Sequence, residues 1–379
     1  MMHIKFDRGL GVNAIRRLVP VLRNNEFLPE LSGILLETSA DGVTVTATAR
    51  NEWMGAEIQF PALVLEPGST VINGALFSKV LDLFGEEYAE LRTVGRDNVW
   101  LSSGKTEYTL ATLPVNNYPR PAFPQIDAAF AVAGLPQLLR RCLFTVGHDP
   151  QRPAYSRIKI DTRGTKLLLS ATDTCGLTMT AASIDIKTPL HILLPSETAQ
   201  YLTTAFEAKE NIWVSALNKV AVFQIDGFRV CCLLGSENYM DVSTLLKTYS
   251  AQAVAVIKAK EMMRALDTLS SAAISGDVVQ LQICHETIVF SSKGIERAVR
   301  TQCPAQSTTP MPEGRYYLGR YLFKALSHLG EGAIQLSVSG NGMLRLQTPV
   351  QVFLLVPTRP IDVTLNEKKN KKSRTKKAA

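Results

Sequence analysis

The feature that most constrains the fold of this chain is an internal repeat of about 124 residues. Two sets of amphipathic segments recur at this period, and both have the apolar spacing of helices. Arg16, Arg140 and Arg264 of the first set are spaced 124 residues apart in both steps. The first set covers residues 13–24, 135–146 and 259–270, and the second covers 74–84, 196–206 and 319–329.

Alternating apolar and polar residues between the two helices of each copy predict β-hairpins. Asp41-Gly42 is a strong two-residue turn signal within the first of these stretches. We therefore predict an α+β fold of three repeated domains, with helices on one side of antiparallel sheets whose edges join from copy to copy. Repeats that join edge to edge curve, and a closed ring would remove the last open edges. The predicted domains are 1–125, 126–250 and 251–360.

The formal net charge of +7 is concentrated near the end of the chain. Residues 361–379 hold seven Lys or Arg against two acids, which leaves a net charge of only +2 for residues 1–360. Because residues 366–379 contain no apolar side chain beyond the terminal alanines, we expect 361–379 to be a basic, disordered tail that acts as an electrostatic tether.

The remaining composition excludes several classes of protein. Six cysteines show no C-x-x-C pair and no histidine at metal-ligand spacing, so we expect neither a metal site nor a disulfide framework, and no cofactor. No apolar run approaches the roughly 20 residues of a membrane span. The first residues show no apolar signal core, so we expect a cytoplasmic protein without membrane partners.

Cations recur on the predicted helix faces opposite the apolar stripes. On one helix such a face is usually only solvated, but its recurrence in three copies indicates a shared electrostatic purpose. A ring lined by these helices would attract a polyanion threaded through it without reading its sequence. The cations are Arg16, Arg17, Arg23, Lys79, Arg140, Arg141, Lys258, Lys260, Arg264, Arg320 and Lys324.

Five short segments carry a resemblance to a known family. They are FLPELSGILLE (27–37), TEYTLATLPVNNYP (106–119), LLLSATDTCGL (167–177), NYMDVSTLL (238–246) and VFLLVPTRP (352–360). With the threefold repeat, they make the chain similar to the bacterial sliding clamp, the beta subunit of DNA polymerase III. The resemblance implies a head-to-tail homodimer that forms a closed ring around double-stranded DNA and serves as a processivity factor. It also implies no catalysis, and as partners the DNA polymerase III alpha subunit, the clamp loader complex and other clamp-motif proteins.

The resemblance also implies three sets of site residues. The DNA-binding set is Arg16, Arg23, Arg140, Arg141, His148, Arg152, Arg264, Arg320 and Lys324. The partner-peptide cleft is Tyr155, Thr172, Thr174, Cys175, Gly176, Leu177, Met240, Thr244, Leu245, Leu354, Leu355, Val356, Pro357 and Thr358. The dimer interface is Tyr108 and Leu110 of one copy against Thr268 and Leu269 of the other.

This sequence departs from the family pattern at some of these positions. The family usually has His-Arg where this chain has Cys175-Gly176, and a basic residue where it has Thr244. The segment 196–206 begins with Ser196-Glu197 where many clamps place Arg and Lys. These departures keep open a second reading, a ring-forming homologue with altered or lost polymerase binding.

A third reading is an enzyme with a repeated α+β fold. The chain has no P-loop, no G-x-G-x-x-G fingerprint in a strand–turn–helix context, and no Ser-His-Asp or Cys-His arrangement. Its five histidines are scattered along the sequence and unpaired. We therefore predict a protein without catalytic residues.

Overall fold

A computed structural model describes residues 2–23, 27–124, 129–184, 189–272, 278–293 and 298–360, so the predicted tail 361–379 lies outside the described residues. In these ranges there are seven α-helices. They are α1 (Arg8–Leu18), α2 (Gly74–Leu83), α3 (Leu135–Leu143), α4 (Ser196–Ala205), α5 (Val242–Thr248), α6 (Ala259–Ala272) and α7 (Gly319–Leu329).

Twenty-five strands make up most of the rest of the described chain. The first twelve are β1 (His3–Asp7), β2 (Gly33–Thr38), β3 (Thr44–Arg50), β4 (Met54–Glu66), β5 (Ser69–Asn73), β6 (Tyr88–Val94), β7 (Asn98–Ser103), β8 (Thr106–Leu113), β9 (Phe130–Ala133), β10 (Arg157–Arg163), β11 (Lys166–Thr172) and β12 (Gly176–Ser183). The others are β13 (His191–Pro195), β14 (Asn211–Leu217), β15 (Val220–Ile225), β16 (Phe228–Leu233), β17 (Ala251–Lys258), β18 (Val278–Ile283), β19 (Thr287–Lys293), β20 (Ala298–Pro304), β21 (Gln306–Thr309), β22 (Met311–Leu318), β23 (Ala333–Ser339), β24 (Leu344–Gln347) and β25 (Gln351–Leu355).

The chain groups into two compact units, of which unit 1 comprises residues 1–137 and 184–236. Its strands form one twelve-stranded sheet in the order β1-β6-β7-β8-β5-β2-β3-β4-β16-β15-β14-β9. The antiparallel pair β4–β16, with Val230 opposite Ala56, joins a strand of the first predicted copy to a strand of the second. The expected edge-to-edge joining of copies is therefore seen at this pair.

Helix α1 of unit 1 differs from the predicted range 13–24 at both ends, whereas α2 lies within one residue of its predicted range. α1 begins at Arg8, five residues before the predicted start, because the Asp7 carboxylate caps it by accepting the Leu10 amide at 2.8 Å. It ends at Leu18, and a 3-10 turn that contains Pro20 follows, since proline has no N–H to continue the helix. Asn73 caps α2 in the same way, accepting the Leu76 amide at 3.0 Å.

Unit 2 comprises residues 138–183 and 237–379 and carries two sheets over one helix pair. One sheet includes the run β10-β11-β12-β25-β24-β23-β17-β21, and the other has the order β20-β19-β18-β22. The buried faces of α6 and α7, including Leu266 and Leu322, pack with Phe290 and Phe353 of the strands in one apolar core. Burial of these side chains is the main force that holds the helix pair on the sheets.

The structure shows the predicted α+β class, with helices packed on antiparallel sheets. The three-domain division at 125, 250 and 360 stays a prediction. None of the described helices has the length and apolar character needed to cross a bilayer. All six cysteines are free thiols: Cys142, Cys231, Cys232 and Cys303 are buried, and Cys175 and Cys284 are partly exposed. Among the described residues no group of three His, Cys, Asp or Glu side chains converges as a metal site requires.

Candidate partner groove and cationic helix faces

Two neighbouring strands and a short helix of unit 2 build an apolar groove. β12 pairs antiparallel with β25, which places Leu177 opposite Leu354. Helix α5 lies on these strands and is capped by Asp241, whose carboxylate accepts the Ser243 amide at 3.0 Å. We call the resulting set of side chains the groove cluster. Its buried members are Leu177, Val242, Val352 and Leu354, and its partly buried members are Met179, Tyr239, Met240, Leu245, Leu246, Tyr249 and Met343.

A cavity of about 210 Å³ opens at the carboxyl end of α5. Leu245, Tyr249 and Met343 supply its apolar lining. The Tyr249 hydroxyl lies 3.1 Å from the Ser337 hydroxyl and donates to the Met343 carbonyl at 3.2 Å, so the ring is held at the rim. Thr248, Ser250, Ser339 and Asn341 supply polar groups, so the cavity combines apolar surface with groups that can orient a short peptide side chain.

One end of the groove is formed by the tight turn Thr172–Gly176, which we call the groove turn. The Asp173 carboxylate accepts the amides of Cys175 at 3.0 Å and Gly176 at 2.8 Å. The Thr172 hydroxyl donates to the Gly176 carbonyl at 2.7 Å. Thr174, at the tip, has a φ of 78°, a conformation that a non-glycine residue adopts only when its surroundings impose it. These hydrogen bonds fix the shape of the turn.

The groove turn is also tied to helix α7. The Tyr321 hydroxyl donates to the Asp173 carboxylate. Burial, followed by this hydrogen bond, raises the pKa of Tyr321, so the phenol stays protonated as a donor. The ring lies on Gly176, where an added Cβ would be 3.1 Å from Cδ1 of Tyr321 and 3.2 Å from Cε2 of Phe353. The ring occupies this place because residue 176 has no side chain.

The structure brings together only part of the predicted cleft. Leu177, Met240, Leu245 and Leu354 belong to the groove cluster. Leu355 is fully buried on the opposite face of β25, in the core beneath α6 and α7, so its side chain does not reach the groove. The other predicted positions outside the cluster are Tyr155, Thr172, Thr174, Cys175, Gly176, Thr244, Val356, Pro357 and Thr358.

Several of these positions stand at the margins of the groove. Tyr155 packs edge to face on Tyr239, with ring centroids 5.7 Å apart. Val356 is 37% exposed, and its amide donates to the Cys175 carbonyl at 3.0 Å. The Thr358 amide donates to the Tyr316 carbonyl at 2.7 Å. The strand that contributes Leu354 is thus connected directly to the groove turn.

Sequence reasoning missed seven members of the groove cluster. Met179 and Val352 are found from strand alternation once Leu177 and Leu354 are placed, because residues two apart share a face. Met343 follows a glycine with φ of 83°, and only the fold brings it beside α5. The missed residues are Met179, Tyr239, Val242, Leu246, Tyr249, Met343 and Val352.

The predicted DNA-binding cations of unit 2 are mostly exposed. Arg264 on α6 and Arg320 and Lys324 on α7 extend from two helices that pack side by side. Arg264 pairs with Glu261 at 3.2 Å, and Arg320 lies over the Tyr321 ring at 5.5 Å. Exposed ion pairs contribute only about 0–1 kcal/mol, so such a cation exchanges its partner for a phosphate at little cost.

The other cations of unit 2 lie on α3 and on the loop that follows it. Arg140 is exposed and Arg141 is half-buried. His148 and Arg152 are exposed on the loop, where Arg152 lies 3.9 Å from Asp149. The Gly147 amide donates to the Tyr155 carbonyl at 2.8 Å and closes the base of this loop.

Unit 1 presents its predicted cations differently. Arg16 on α1 pairs with Asp82 at 2.9 Å, and Arg23 donates to the Pro20 and Leu22 carbonyls. The exposed face of α4 carries Glu197 and no cation, since the helix contains neither Lys nor Arg. The cationic character predicted for the helix faces therefore does not extend to every helix.

The predicted dimer residues fall into two groups. Leu110 is buried and Tyr108 is half-buried, tilted against Phe84 with ring centroids 5.8 Å apart. Thr268 is exposed, whereas Leu269 is 2% exposed and packs in the core of its own unit. A substitution of Leu269 therefore acts on the fold of unit 2 before it acts on any contact between copies.

Each unit also offers an open strand edge. β8 pairs with β7 along Thr106–Ala111, but its other neighbour, β5, takes only Thr112 and Leu113. β20 is an outer strand of the four-stranded sheet, with β19 as its partner. Within the described part of the chain, the remaining edges of Thr106–Ala111 and of β20 pair with no strand.

The sequence profile of the DNA polymerase III beta subunit, N-terminal domain, matches residues 2–122. The chain is 24% identical over 388 aligned residues to the beta sliding clamp of Bacillus subtilis, covering 94% of this chain and all of that protein. It is 21% identical to the beta sliding clamp of Staphylococcus epidermidis, with 96% of this chain and 98% of that protein covered. By sequence, the chain is similar to beta sliding clamps along nearly its whole length.

Solved beta sliding clamps share the fold. The crystal structure of the Bacillus subtilis DNA polymerase sliding clamp superposes with a TM-score of 0.87 at 22% identity, covering 95% of this chain and 100% of that one. The DNA polymerase III beta subunit of Thermotoga maritima gives 0.87 at 16% identity, with the same coverage. The resemblance predicted from five short segments is confirmed over nearly the whole chain.

Proposed function

We propose that this protein is a DNA polymerase processivity factor, a ring-shaped clamp that encircles double-stranded DNA and tethers clamp-binding proteins. The observation that carries the proposal is the side-by-side pair α6 and α7, whose outer surface presents Arg264, Arg320 and Lys324. Exposed cations of this kind contact phosphates of any sequence, because phosphate contacts carry no base information. A clamp of this type slides because nothing in the contact depends on the base pairs.

The ring proposal rests on the open strand edges. In the proposed dimer, the Thr106–Ala111 edge of β8 in one copy pairs with the open edge of β20 in the other copy. This pairing satisfies the backbone hydrogen-bonding groups of both edges. Two copies joined head to tail in this way consume both edges of each copy. The three-copy division of the chain would then give a ring of six similar domains, with Tyr108 and Thr268 near the two contacts.

The groove is the proposed docking site for partner peptides. Its buried floor of Leu177 and Leu354, with Leu245 at the side, suits a short segment that ends in apolar side chains. The proposed partners are the DNA polymerase III alpha subunit, the clamp loader complex and other clamp-motif proteins. Their binding needs no catalytic residue and no cofactor in this chain, and the site of action is the cytoplasm.

The proposal is tested by primer extension on a circular single-stranded template with the cognate polymerase and clamp loader. We expect products of full length in a single binding event only when this protein is present. Short products both with and without the protein would contradict the role as a processivity factor. If analytical ultracentrifugation then still shows a dimer, the protein is a ring-forming homologue without that activity.

A further inference from the structure

We propose that Gly176 and Tyr321 together determine how tightly the groove binds an apolar peptide segment, and that the groove does not distinguish an acidic from a neutral flanking residue. This inference rests on the proposed function, since it concerns the partner site of the same clamp. Neither Tyr321 nor Asp173 belongs to the sequence-predicted cleft. Both residues act by shaping the groove turn.

The first argument is steric. The Tyr321 ring contacts the backbone at Gly176, and a Cβ there would lie 3.1–3.3 Å from two ring atoms. Methyl addition therefore forces the ring to move by a few tenths of an ångström, and a branched side chain displaces it. The hydroxyl of a displaced ring no longer reaches the Asp173 carboxylate, which is the acceptor for the Cys175 and Gly176 amides.

The second argument is preorganisation. The groove turn is held by four hydrogen bonds to side chains of Thr172 and Asp173, and it reaches β25 through the bond from the Val356 amide to the Cys175 carbonyl. The Tyr321 hydroxyl orients the carboxylate at the centre of this network. A partner that meets a rigid turn loses less entropy on binding, so loosening the turn lowers affinity even where no contact with the peptide is lost.

The third argument is electrostatic. The groove turn and the start of α5 present Thr174, Cys175, Gly176 and Thr244, all uncharged, where a peptide would approach. The Asp173 carboxylate is occupied by its three donors, and Asp241 caps α5 and lies 4.0 Å from Arg163. Among the described residues named here the one cation, Arg163, is paired with Asp241, so neutral and acidic versions of one apolar segment should bind alike.

The test uses two fluorescent peptides with the same apolar anchors that differ only in one flanking residue, Asp in one and Asn in the other. Wild-type protein should bind both with affinities within about threefold, at low and at high salt. Gly176→Leu should weaken both by about tenfold or more, because it overpacks the site of the ring. Tyr321→Phe, which keeps the ring and removes the hydroxyl, should weaken both by about three- to tenfold.

A double-mutant cycle separates this mechanism from general damage. In a Tyr321→Ala background the ring is gone, so Gly176→Leu should cause a much smaller further loss of affinity, limited to its contact with Phe353. Gly332→Leu is the matched control in the same unit, since no atom lies within 4 Å of its added Cβ, and it should bind as wild type does. Amide exchange at Cys175 and Gly176 should quicken in Tyr321→Phe and stay unchanged in the control.

Each outcome has a distinct meaning. If wild-type protein binds neither peptide, the proposed clamp function fails at this groove whatever the role of Gly176. If wild-type protein binds and Gly176→Leu binds equally well, or loses affinity equally with and without the Tyr321 ring, only the Gly176–Tyr321 mechanism is overturned. An Asp peptide that binds more than about tenfold tighter than its Asn partner overturns the claim of a groove indifferent to charge.

Discussion

The groove turn and the α6–α7 surface belong to the same unit but are built in opposite ways. In the groove turn every polar group that shapes the structure is satisfied within the chain, and Gly176 leaves no free volume beneath the Tyr321 ring. On α6, by contrast, the side chain of Arg264 is 63% exposed and forms an ion pair with Glu261 at 3.2 Å. The groove turn is therefore suited to recognising a shape, whereas the α6–α7 surface is suited to recognising charge alone.

The difference follows from what each surface would have to recognise. A peptide has a fixed pattern of side chains, and a preorganised groove distinguishes such patterns at low entropic cost. Duplex DNA presents phosphates at every position along a sliding path, so tightly positioned contacts would create preferred stopping points. Substitutions should therefore cause large, local effects in the groove and small, additive effects on the helices.

The largest effect should come from charge in the groove floor. Leu177→Asp together with Leu245→Asp places two carboxylates in the groove cluster, and loss of each apolar anchor typically costs about 2 kcal/mol or more. Peptide binding measured by fluorescence anisotropy should be abolished. Sedimentation should still show the dimer, and Val43→Asp, at an exposed apolar side chain of unit 1, should leave peptide binding unchanged. Peptide binding of normal strength in the double variant would show that the groove is not the partner site.

A smaller effect is expected for single cations of the helices. Arg264→Ala or Arg320→Ala should weaken duplex binding evenly across sequences and lower the slope of log affinity against log salt by about one unit each. Arg120→Ala is the control, because Arg120 is also exposed and ion-paired, with Glu37 at 2.8 Å, but lies outside the helices. An unchanged salt slope, or a preference for one DNA sequence, would contradict the assignment of these helices to the DNA-binding surface.

A still smaller effect, of opposite sign, is expected when an acid partner is removed. Glu261→Gln frees Arg264 from its ion pair at 3.2 Å, and Asp82→Asn frees Arg16 from its pair at 2.9 Å. Because exposed pairs are worth about 0–1 kcal/mol, duplex affinity at low salt should rise by up to about fivefold. Glu37→Gln should leave it unchanged. Weaker binding in Glu261→Gln would show that the acid positions Arg264 and does not compete for it.

The smallest effect concerns pH at the groove. The hydrogen bond from the Thr244 hydroxyl, followed by the bond from its amide, lowers the pKa of Asp241 below its ordinary value of 3.8. A lowered folded pKa means that the cap stabilises α5 fully above the ordinary value, and that this contribution is lost as the pH falls through the folded pKa. The amide resonances of Ser243 and Thr244 should shift below pH 3.8 and stay constant above it. A transition centred above 3.8 would contradict this assignment.

The sequence predicted the elements that depend on periodicity and missed those that depend on side-chain hydrogen bonds. The second helix of each copy was placed within one or two residues, because its apolar spacing is regular. The start of α1 was missed because Gly9 and Gly11 obscure the pattern, while the decisive signal is the Asp7 cap. Leu177 and Leu354 were found through the family resemblance, but the role of Tyr321 depends on a contact with a turn 148 residues away.

The burial of Leu269 and Leu355 illustrates a second limit. Both are leucines near predicted interfaces, and sequence alone gives no way to tell a side chain that serves its own core from one that serves a partner. The structure assigns both to the core beneath α6 and α7. Exposed neighbours such as Thr268 and Val356 are what a partner would meet.

The open edges of β8 and β20 expose unpaired backbone groups in a single copy, and such edges promote uncontrolled association with other copies. A head-to-tail contact between two different patches closes only if each step turns the next copy by half a revolution, and otherwise it extends into a filament. Pro304 at the end of β20 offers no N–H and blunts that edge, but Thr106–Ala111 has no proline. In the proposed head-to-tail dimer, the angle at which the two contacts close therefore decides between a ring and a filament.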